Sequence, residues 1–230
     1  MKLAANISLM YTEWPFAGRI LAAAQDGFEA IECMFPYELP AAELRRLADD
    51  QNLRWALINA PAGDWAGGDR GLACHRHRVD EFRRAADQAI RYANALGVSR
   101  VHVMAGAIDP AGHGGDAEQA AWDSYLENLN WLTGQTRDEP IMWLVEPINR
   151  RDVPGYLLSL QEQAHRVVET LNMPNLGVQM DLYHCQITQG DVLTRLKTLL
   201  PTGRVRHLQI AGVPERHEPN FKIGRASCRE

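Results

Sequence analysis

The residues of this chain that could do chemistry stand at the ends of apolar, strand-like runs. Glu146 follows Met-Trp-Leu-Val, Asp181 follows Gly-Val-Gln-Met, and Gln209 follows Arg-His-Leu. Two carboxylates and an amide oxygen suit a hard divalent cation, above all Mg²⁺ or Mn²⁺. Such a cation polarises the carbonyl of a hydroxy-carbonyl compound, and a carboxylate beside it can move a proton between neighbouring carbons. The three residues therefore predict a metal site and the proton chemistry of an aldose–ketose isomerase.

The strand-like runs alternate with helical patterns along the whole chain. The predicted strands are Leu3–Leu9, Ala30–Cys33, Leu53–Ile58, Arg100–Ala105, Ile141–Glu146, Asn175–Asp181 and Val205–Ala211. Apolar residues with the spacing of one buried helix face are Phe82, Ala85, Ala86, Ala89, Ile90 and Ala93, then Ala164, Val167, Val168 and Leu171, then Val192, Leu193, Leu196 and Leu200. Strict alternation of strand and helix predicts a parallel sheet with helical crossovers.

Seven strands favour an α/β fold of the (β/α)₈ type, a TIM barrel, that is incomplete and lacks its eighth strand. The alternative is a doubly wound open sheet, which usually carries a Gly-rich phosphate turn after its first strand. Here the first strand runs into Met10-Tyr-Thr-Glu-Trp-Pro15, without that motif. The truncated barrel domain is expected to cover residues 1–220, and residues 221–230, which show no strand or helix pattern, are expected to be a tail foreign to it.

Alternation along the last three strands separates an interior face from a face that meets the helices. The residues predicted to point inward are Glu146, Gln179, Asp181, His207 and Gln209, and those predicted to point outward are Trp143, Val145, Met180, Leu208 and Ile210. A purely structural barrel interior is filled with branched apolar side chains. The polar interior face therefore indicates a site at the C-terminal ends of the strands.

Five further residues are weaker candidates for substrate binding. Asn6, on the first strand, is expected to face the barrel centre. His184 either orients substrate or metal or belongs to a surface loop, and His207 either supports Gln209 or is a buried core histidine. The Gly-rich loop 59–71 carries Trp65 and Arg70, which could close over a small anionic substrate; a flexible surface loop is the alternative.

Three other polar residues near the predicted strands receive no role in the site. Glu29 and Glu32 flank the second strand and could approach the site, but they are not assigned to it. His102, in Val-His-Val-Met, is interpreted as a packing residue.

The composition disfavours several classes of partner. The chain has 230 residues, of which 46% are hydrophobic and 23% charged, as in an ordinary globular domain. Its net charge of −5 disfavours nucleic acid, and the absence of an 18-residue apolar run predicts no membrane span. The N-terminus lacks a secretory signal and the four cysteines lack close pairing, so a cytoplasmic protein with reduced thiols is expected. Unpaired barrel edges would favour a homo-oligomer.

Several stretches together resemble one known family. The chain is similar to hydroxypyruvate isomerases and 2-oxo-tetronate isomerases, within the xylose isomerase-like TIM barrels. The matching stretches are Ala5-Asn-Ile-Ser-Leu-Met10, Met34-Phe-Pro-Tyr37, Pro61-Ala-Gly-Asp-Trp65, Ile90-Arg-Tyr-Ala93, Glu146-Pro-Ile-Asn149, Asp181-Leu-Tyr-His184, His207-Leu-Gln-Ile-Ala211 and Glu215-Arg-His-Glu-Pro219. They keep their order and spacing over about residues 1–220.

The resemblance implies a reaction and a set of roles. The reaction interconverts hydroxypyruvate and 2-hydroxy-3-oxopropanoate (tartronate semialdehyde) through an enediol, with a divalent cation that is usually Mg²⁺ or a similar ion. Glu146 is implied to be a metal ligand and one of two acid/base glutamates, and Asp181 and Gln209 are implied to be further ligands. The family's second glutamate belongs to the eighth strand, so a chain that lacks this strand is expected to be poorly active or inactive.

Three other functions stay open. A keto-sugar 3-epimerase would use the same metal and glutamate chemistry and differs only in its product. A metal-dependent phosphodiesterase fits Glu146 and the Asp181–His184 spacing, but it needs further histidines at strand ends where this chain has Asn59 and Met104. A non-catalytic protein that binds small molecules is the third.

Overall fold

The protein is described from a computed structural model, which covers residues 3–109 and 114–219. The strands are β1 (Ala5–Asn6), β2 (Ala30–Cys33), β3 (Arg54–Asn59), β4 (Arg100–His102), β5 (Met142–Val145), β6 (Leu176–Asp181) and β7 (Val205–Gln209). The helices are α1 (Phe16–Gln25), α2 (Ala41–Asp49), α3 (Val79–Leu96), α4 (Asp116–Gln135), α5 (Gln161–Leu171), α6 (Leu182–Thr188) and α7 (Val192–Leu199). The predicted tail at 221–230 lies outside the described residues.

The strands form one parallel sheet in which sequence neighbours are spatial neighbours, in the order β1 to β7. A doubly wound sheet would reverse its strand order at a switch point, so the order confirms the barrel type. The sheet is curled, because Gln209 on β7 reaches Glu32 on β2 through its side chain. Within the described residues there are seven strands, and β1 and β7 are not bonded to each other. The incomplete (β/α)₈ barrel with seven βα units is thereby confirmed.

The main core lies between the sheet and the helices. Trp143, Val145 and Val178 are buried on this outer face of the sheet, as the alternation predicted. The Trp143 indole N–H donates to Thr136 Oγ1 at 2.7 Å, at the end of α4. Leu144 is also buried but stands apart from this cluster, because it points into the barrel.

Several strand bounds differ from the prediction, as in β4 and β7, which both end earlier than predicted. The first strand is shorter than Leu3–Leu9, because the chain turns after Asn6, where Leu9 N–H and Met10 N–H both donate to the Asn6 carbonyl. The last predicted helix face is only partly buried: Val192 is buried, whereas Leu193 and Leu200 are each 43% exposed. The apolar face of this segment is wider than the part of it that β6 and α6 cover.

Cys33, Cys74 and Cys185 are free and buried. Burial raises the pKa of the Cys33 thiol to about 11, so it is uncharged at neutral pH. No helix in the described part of the chain is long and apolar enough to cross a membrane.

Candidate active site

Three potential metal ligands come together where β5 and β6 end. Glu146 follows β5, Asp181 closes β6, and His184 lies in the first turn of α6. One ligand atom from each lies within 4.8 Å of the other two, and all three residues are buried. Asp181 is also the N-cap of α6, where its Oδ1 accepts the Tyr183 N–H at 2.8 Å. This contact fixes the carboxylate, and its Oδ2 stays directed at the shared space.

The two carboxylates have fewer positive charges around them than their own two negative charges would need. Burial and the Asp181 charge raise the pKa of Glu146 well above its usual value. His102 Nδ1 lies 3.4 Å from Glu146 Oε2, but burial lowers the pKa of His102 to about 3, so this imidazole carries no charge at neutral pH. Arg216 supplies one positive charge, with its Nη2 3.2 Å from Asp181 Oδ2. Glu146 Oε1 is buried without a hydrogen-bond partner.

This arrangement fits a divalent cation. A buried carboxylate oxygen without a partner is costly, because its desolvation is not compensated. A cation between Glu146 and Asp181 would compensate it and would also remove their mutual repulsion. The oxygen-rich donor set suits Mg²⁺ or Mn²⁺, and the single imidazole is compatible with either.

The hydrogen bonds of His184 indicate which of its ring nitrogens carries the proton. The Asn149 backbone N–H donates to His184 Nδ1 at 3.4 Å, and Asn149 Nδ2 lies 2.6 Å from the same atom. The Asn149 amide is itself oriented by Asp152, whose N–H donates to Asn149 Oδ1 and whose carboxylate accepts from Asn149 Nδ2. His184 Nδ1 is therefore an acceptor, and Nε2 holds the proton in the neutral ring. In this tautomer His184 presents a donor to the Asp181 side, which suits a substrate oxygen better than a metal.

A second polar cluster lies across the interior, around Glu32 of β2. Glu32 Oε1 accepts from Asn6 Nδ2 at 2.9 Å and from Gln209 Nε2 at 2.5 Å. Glu32 Oε2 lies 2.8 Å from His207 Nε2. Glu32 is 5% exposed. Asn6, His207 and Gln209 thus point inward, as predicted, and their common partner is a glutamate to which the sequence interpretation gave no role.

Gln179 joins the two clusters. Its Nε2 donates to Gln209 Oε1 at 2.8 Å, and its side chain partly opposes the raised pKa of the Glu146 carboxyl. Gln209 therefore does not touch the Glu146 and Asp181 carboxylates directly; its oxygen is held by Gln179. Its assignment as a metal ligand stays a prediction.

The loop that carries Trp65 and Arg70 is folded on itself. The Arg70 guanidinium stacks 4.1 Å from the Trp65 ring centre, and the ring centre of Phe35 lies 5.0 Å from the same point. Arg78 forms a bidentate pair with Asp69, at 2.8 and 2.6 Å. Internal contacts thus occupy both predicted substrate residues, and their role in binding stays a prediction.

Sequence reasoning missed two residues of the site. Glu32 lies in a strand of four residues that are all buried, so alternation could not show which way it points. The available signal was the presence of an acidic residue inside so apolar a strand. Arg216 was found only as part of a matching stretch, and its pairing with Asp181 had no sequence signal. Glu29, by contrast, is exposed and pairs weakly with Arg54 at 3.5 Å.

Comparison with known proteins places the chain among similar folds and sequences. The model of the xylose isomerase-like TIM barrel family matches residues 20–225. The 2-oxo-tetronate isomerase of Cupriavidus necator is 47% identical over 95% of this chain and 82% of its own length. The hydroxypyruvate isomerase of Escherichia coli is 39% identical over 95% of this chain and 83% of its own length.

A solved structure agrees with this placement. It is described as an AP endonuclease, family 2, from Brucella melitensis, and superposes with a TM-score of 0.89 at 40% identity. The superposition covers 96% of this chain and 83% of the Brucella chain.

Proposed function

The chain belongs to the family of xylose isomerase-like TIM barrels, and from that premise we propose that it is a metal-dependent isomerase of small hydroxy-oxo acids. The proposed reaction interconverts hydroxypyruvate and 2-hydroxy-3-oxopropanoate. Relatives that bear the names of such isomerases, at 47% and 39% identity, support this assignment.

The observation that carries the proposal is the buried Glu146 carboxylate. Its Oε1 has no hydrogen-bond partner, and a second carboxylate, Asp181, lies within reach of the same ion. A fold without function would not retain two repelling carboxylates in its interior, because each destabilises the other. Both residues are expected to hold the cation, and Gln209 is the further candidate.

The reaction moves one hydrogen between adjacent carbons and one between adjacent oxygens. A bound divalent cation would supply Lewis-acid polarisation of the neighbouring carbonyl and hydroxyl oxygens. Glu146 is expected to take the proton from the hydroxyl-bearing carbon and to return it to the former carbonyl carbon. His184 offers its Nε2–H to a substrate oxygen, and Arg216 offers positive charge to the substrate carboxylate.

A 2-oxo-tetronate is the second candidate substrate. The specific observation in its favour is the higher identity, 47%, to the relative with that name. Both substrates share the α-hydroxy ketone and the carboxylate, so the same residues would serve either. The two substrates differ by one carbon in length, which the residues around the site must accommodate.

A nucleic-acid substrate has less support, although the Brucella structure carries an endonuclease name. The net charge is −5, whereas phosphate backbones are bound by basic surfaces. Within the described residues, one group of three His, Cys, Asp or Glu side chains could hold a metal ion, and it consists of Glu146, Asp181 and His184. A metal-dependent phosphodiesterase needs more histidines than this group supplies.

The test is conversion of hydroxypyruvate and of a 2-oxo-tetronate in deuterated water, with Mn²⁺ or Mg²⁺, followed by proton NMR. We expect metal-dependent exchange of the carbon-bound proton with solvent. Glu146→Gln should abolish the exchange, and Glu127→Gln, a matched change on an exposed part of α4, should not alter it. The rate measured for the unmodified chain also tests the expectation of weak activity.

Three outcomes would contradict the proposal. Proton exchange that persists in the Glu146→Gln variant would show that Glu146 is not required for the reaction. Proton exchange that persists after a chelator is added would show that the metal is not required. Absence of both conversion and proton exchange with either acid, in a folded chain that binds Mn²⁺, would contradict the proposed activity of this chain.

A further inference from the structure

Glu32 has an unusual position for a glutamate without an assigned role. It is buried on β2, and its carboxylate meets side chains from both edges of the described sheet, Asn6 of β1 and His207 and Gln209 of β7. Across residues 3–109 and 114–219, His207 is the one basic side chain whose nitrogen lies within 4 Å of the Glu32 carboxylate. The three contacts thus use both oxygens of Glu32.

These contacts determine which way the Gln209 amide faces. A carboxylate only accepts hydrogen bonds, so Gln209 must turn its NH₂ group toward Glu32. Its Oε1 then faces the other side, where Gln179 Nε2 donates to it at 2.8 Å. Gln179 lies on β6 with Asp181, and in the ladder Asp181 is the partner of Gln209. The Gln209 oxygen is therefore turned toward β6, the strand that carries Asp181.

The Gln209 amide is fixed on both of its sides. Glu32 only accepts hydrogen bonds and receives the Gln209 NH₂ group, whereas Gln179 Nε2 only donates and faces the Gln209 oxygen. One orientation of the Gln209 amide satisfies both neighbours.

We propose that Glu32 is a positioning residue of the isomerase: it orients Gln209 so that the amide oxygen faces the Glu146–Asp181 site. This rests on the proposed function, because it assigns Gln209 to the metal. Without a carboxylate at position 32 the Gln209 amide can rotate by half a turn at little cost. Its NH₂ group would then face the site and repel the cation. Glu32 acts through Gln209 and does not itself touch the metal or the substrate.

The first test is the affinity for Mn²⁺ alone, measured by titration calorimetry on the whole chain. Glu32→Gln keeps the shape of the side chain but adds a donor, so the Gln209 orientation is no longer fixed. The Mn²⁺ dissociation constant should rise about 10- to 100-fold, the usual effect of losing a residue that orients a ligand. Glu29→Gln, the same change at the exposed position just before β2, should leave it within about twofold.

A charge swap separates positioning from mere stabilisation. The double variant Glu32→Gln/Gln209→Glu exchanges the carboxylate and the amide while keeping the total charge. Position 209 then presents an oxygen in either orientation, so Mn²⁺ affinity should return to within about fivefold of the unmodified chain. If Glu32→Gln does not fold, Glu32→Asp replaces it, because this change keeps the charge but withdraws the carboxylate by one methylene.

The outcomes divide clearly. Unchanged Mn²⁺ affinity in a folded Glu32 variant would overturn the proposal, and so would a swap that fails to restore affinity. Absence of Mn²⁺ binding by the unmodified chain would overturn both this proposal and the proposed function. If Mn²⁺ binding responds as expected but neither acid is converted, the proposal for Glu32 stands and only the proposed activity of this chain fails.

Discussion

His207 Nε2 on β7 lies 2.8 Å from Glu32 Oε2 on β2, although the residues are 175 positions apart in the sequence. In the sheet, β7 is bonded to β6, and β2 to β1 and β3. The contact therefore crosses the interior of the curled sheet, and together with the Gln209–Glu32 hydrogen bond it ties β7 to the opposite side.

Removal of this tie should weaken the fold at β7. His207→Phe leaves Glu32 Oε2 buried without a donor, which should lower the free energy of unfolding by about 1–3 kcal/mol. Hydrogen–deuterium exchange should increase in peptides that cover β7 more than in those that cover β4. Leu208→Ala changes the outer, 37% exposed face of the same strand and is the control. Equal exchange in His207→Phe and Leu208→Ala would contradict a role for the histidine in holding β7.

The interior side chains of β6 and β7 were predictable because their strands alternate in polarity. Gln179 and Asp181 alternate with Val178 and Met180, and the structure places the polar pair inside and the apolar pair in the outer core. Position within a strand decides direction, so a sequence pattern of period two is sufficient.

Glu32 and the Gln179 link were not predictable in the same way. β2 has four buried residues, so its polarity pattern is too short to show a direction. The partners of Glu32 come from β1 and β7, and which side chains meet across a barrel depends on its curvature. Likewise, Leu193 in α7 and Leu200, just after its end, continue one apolar period, yet both are 43% exposed. The periodicity of apolar residues identifies the apolar face of a helix, but the elements that pack against that face determine whether it is buried.

Binding of Mn²⁺ should stabilise the protein. A ligand that binds only the folded state at 100 times its dissociation constant adds about 2.7 kcal/mol. We expect a higher Tm in differential scanning calorimetry with Mn²⁺, and return to the starting Tm after a chelator. Asp181→Asn should lose most of this shift, because Asp181 supplies one of the three potential ligand atoms that lie within 4.8 Å of one another. A full shift in Asp181→Asn would place the metal elsewhere.

Neutralisation of Glu146 should stabilise the metal-free protein. Burial and the charge of Asp181 both disfavour the ionised Glu146. Glu146→Gln keeps the size and removes this conflict, so the free energy of unfolding without metal should rise, on the order of 1 kcal/mol. Urea unfolding of both forms in chelator measures it. The control Glu127→Gln, on an exposed face, should change the free energy of unfolding by less than about 0.5 kcal/mol. A loss of stability in Glu146→Gln would contradict the prediction and would show that the carboxylate stabilises the fold.

The Asp69–Arg78 pair should make stability depend on pH in the acid range. Hydrogen bonds from the Arg78 guanidinium hold the pKa of Asp69 below its ordinary value. A lowered folded pKa stabilises the protein above the unfolded pKa of about 4, and this contribution is lost as the pH falls through the folded value. Asp69→Asn should therefore cost about 1–2 kcal/mol at about pH 7 and much less at about pH 2.

Urea unfolding at the two pH values measures this difference. Asp50→Asn is the matched control, because Asp50 pairs with Arg46 on the surface, where both side chains are more than half exposed. Its cost should stay below about 0.5 kcal/mol at either pH, since solvent screens such pairs. An equal loss in the free energy of unfolding of Asp69→Asn at both pH values would contradict the prediction. It would mean that the shape of the Asp69 side chain and its hydrogen bond from the Asp64 N–H hold the loop, and that the ionic pairing with Arg78 contributes no stability.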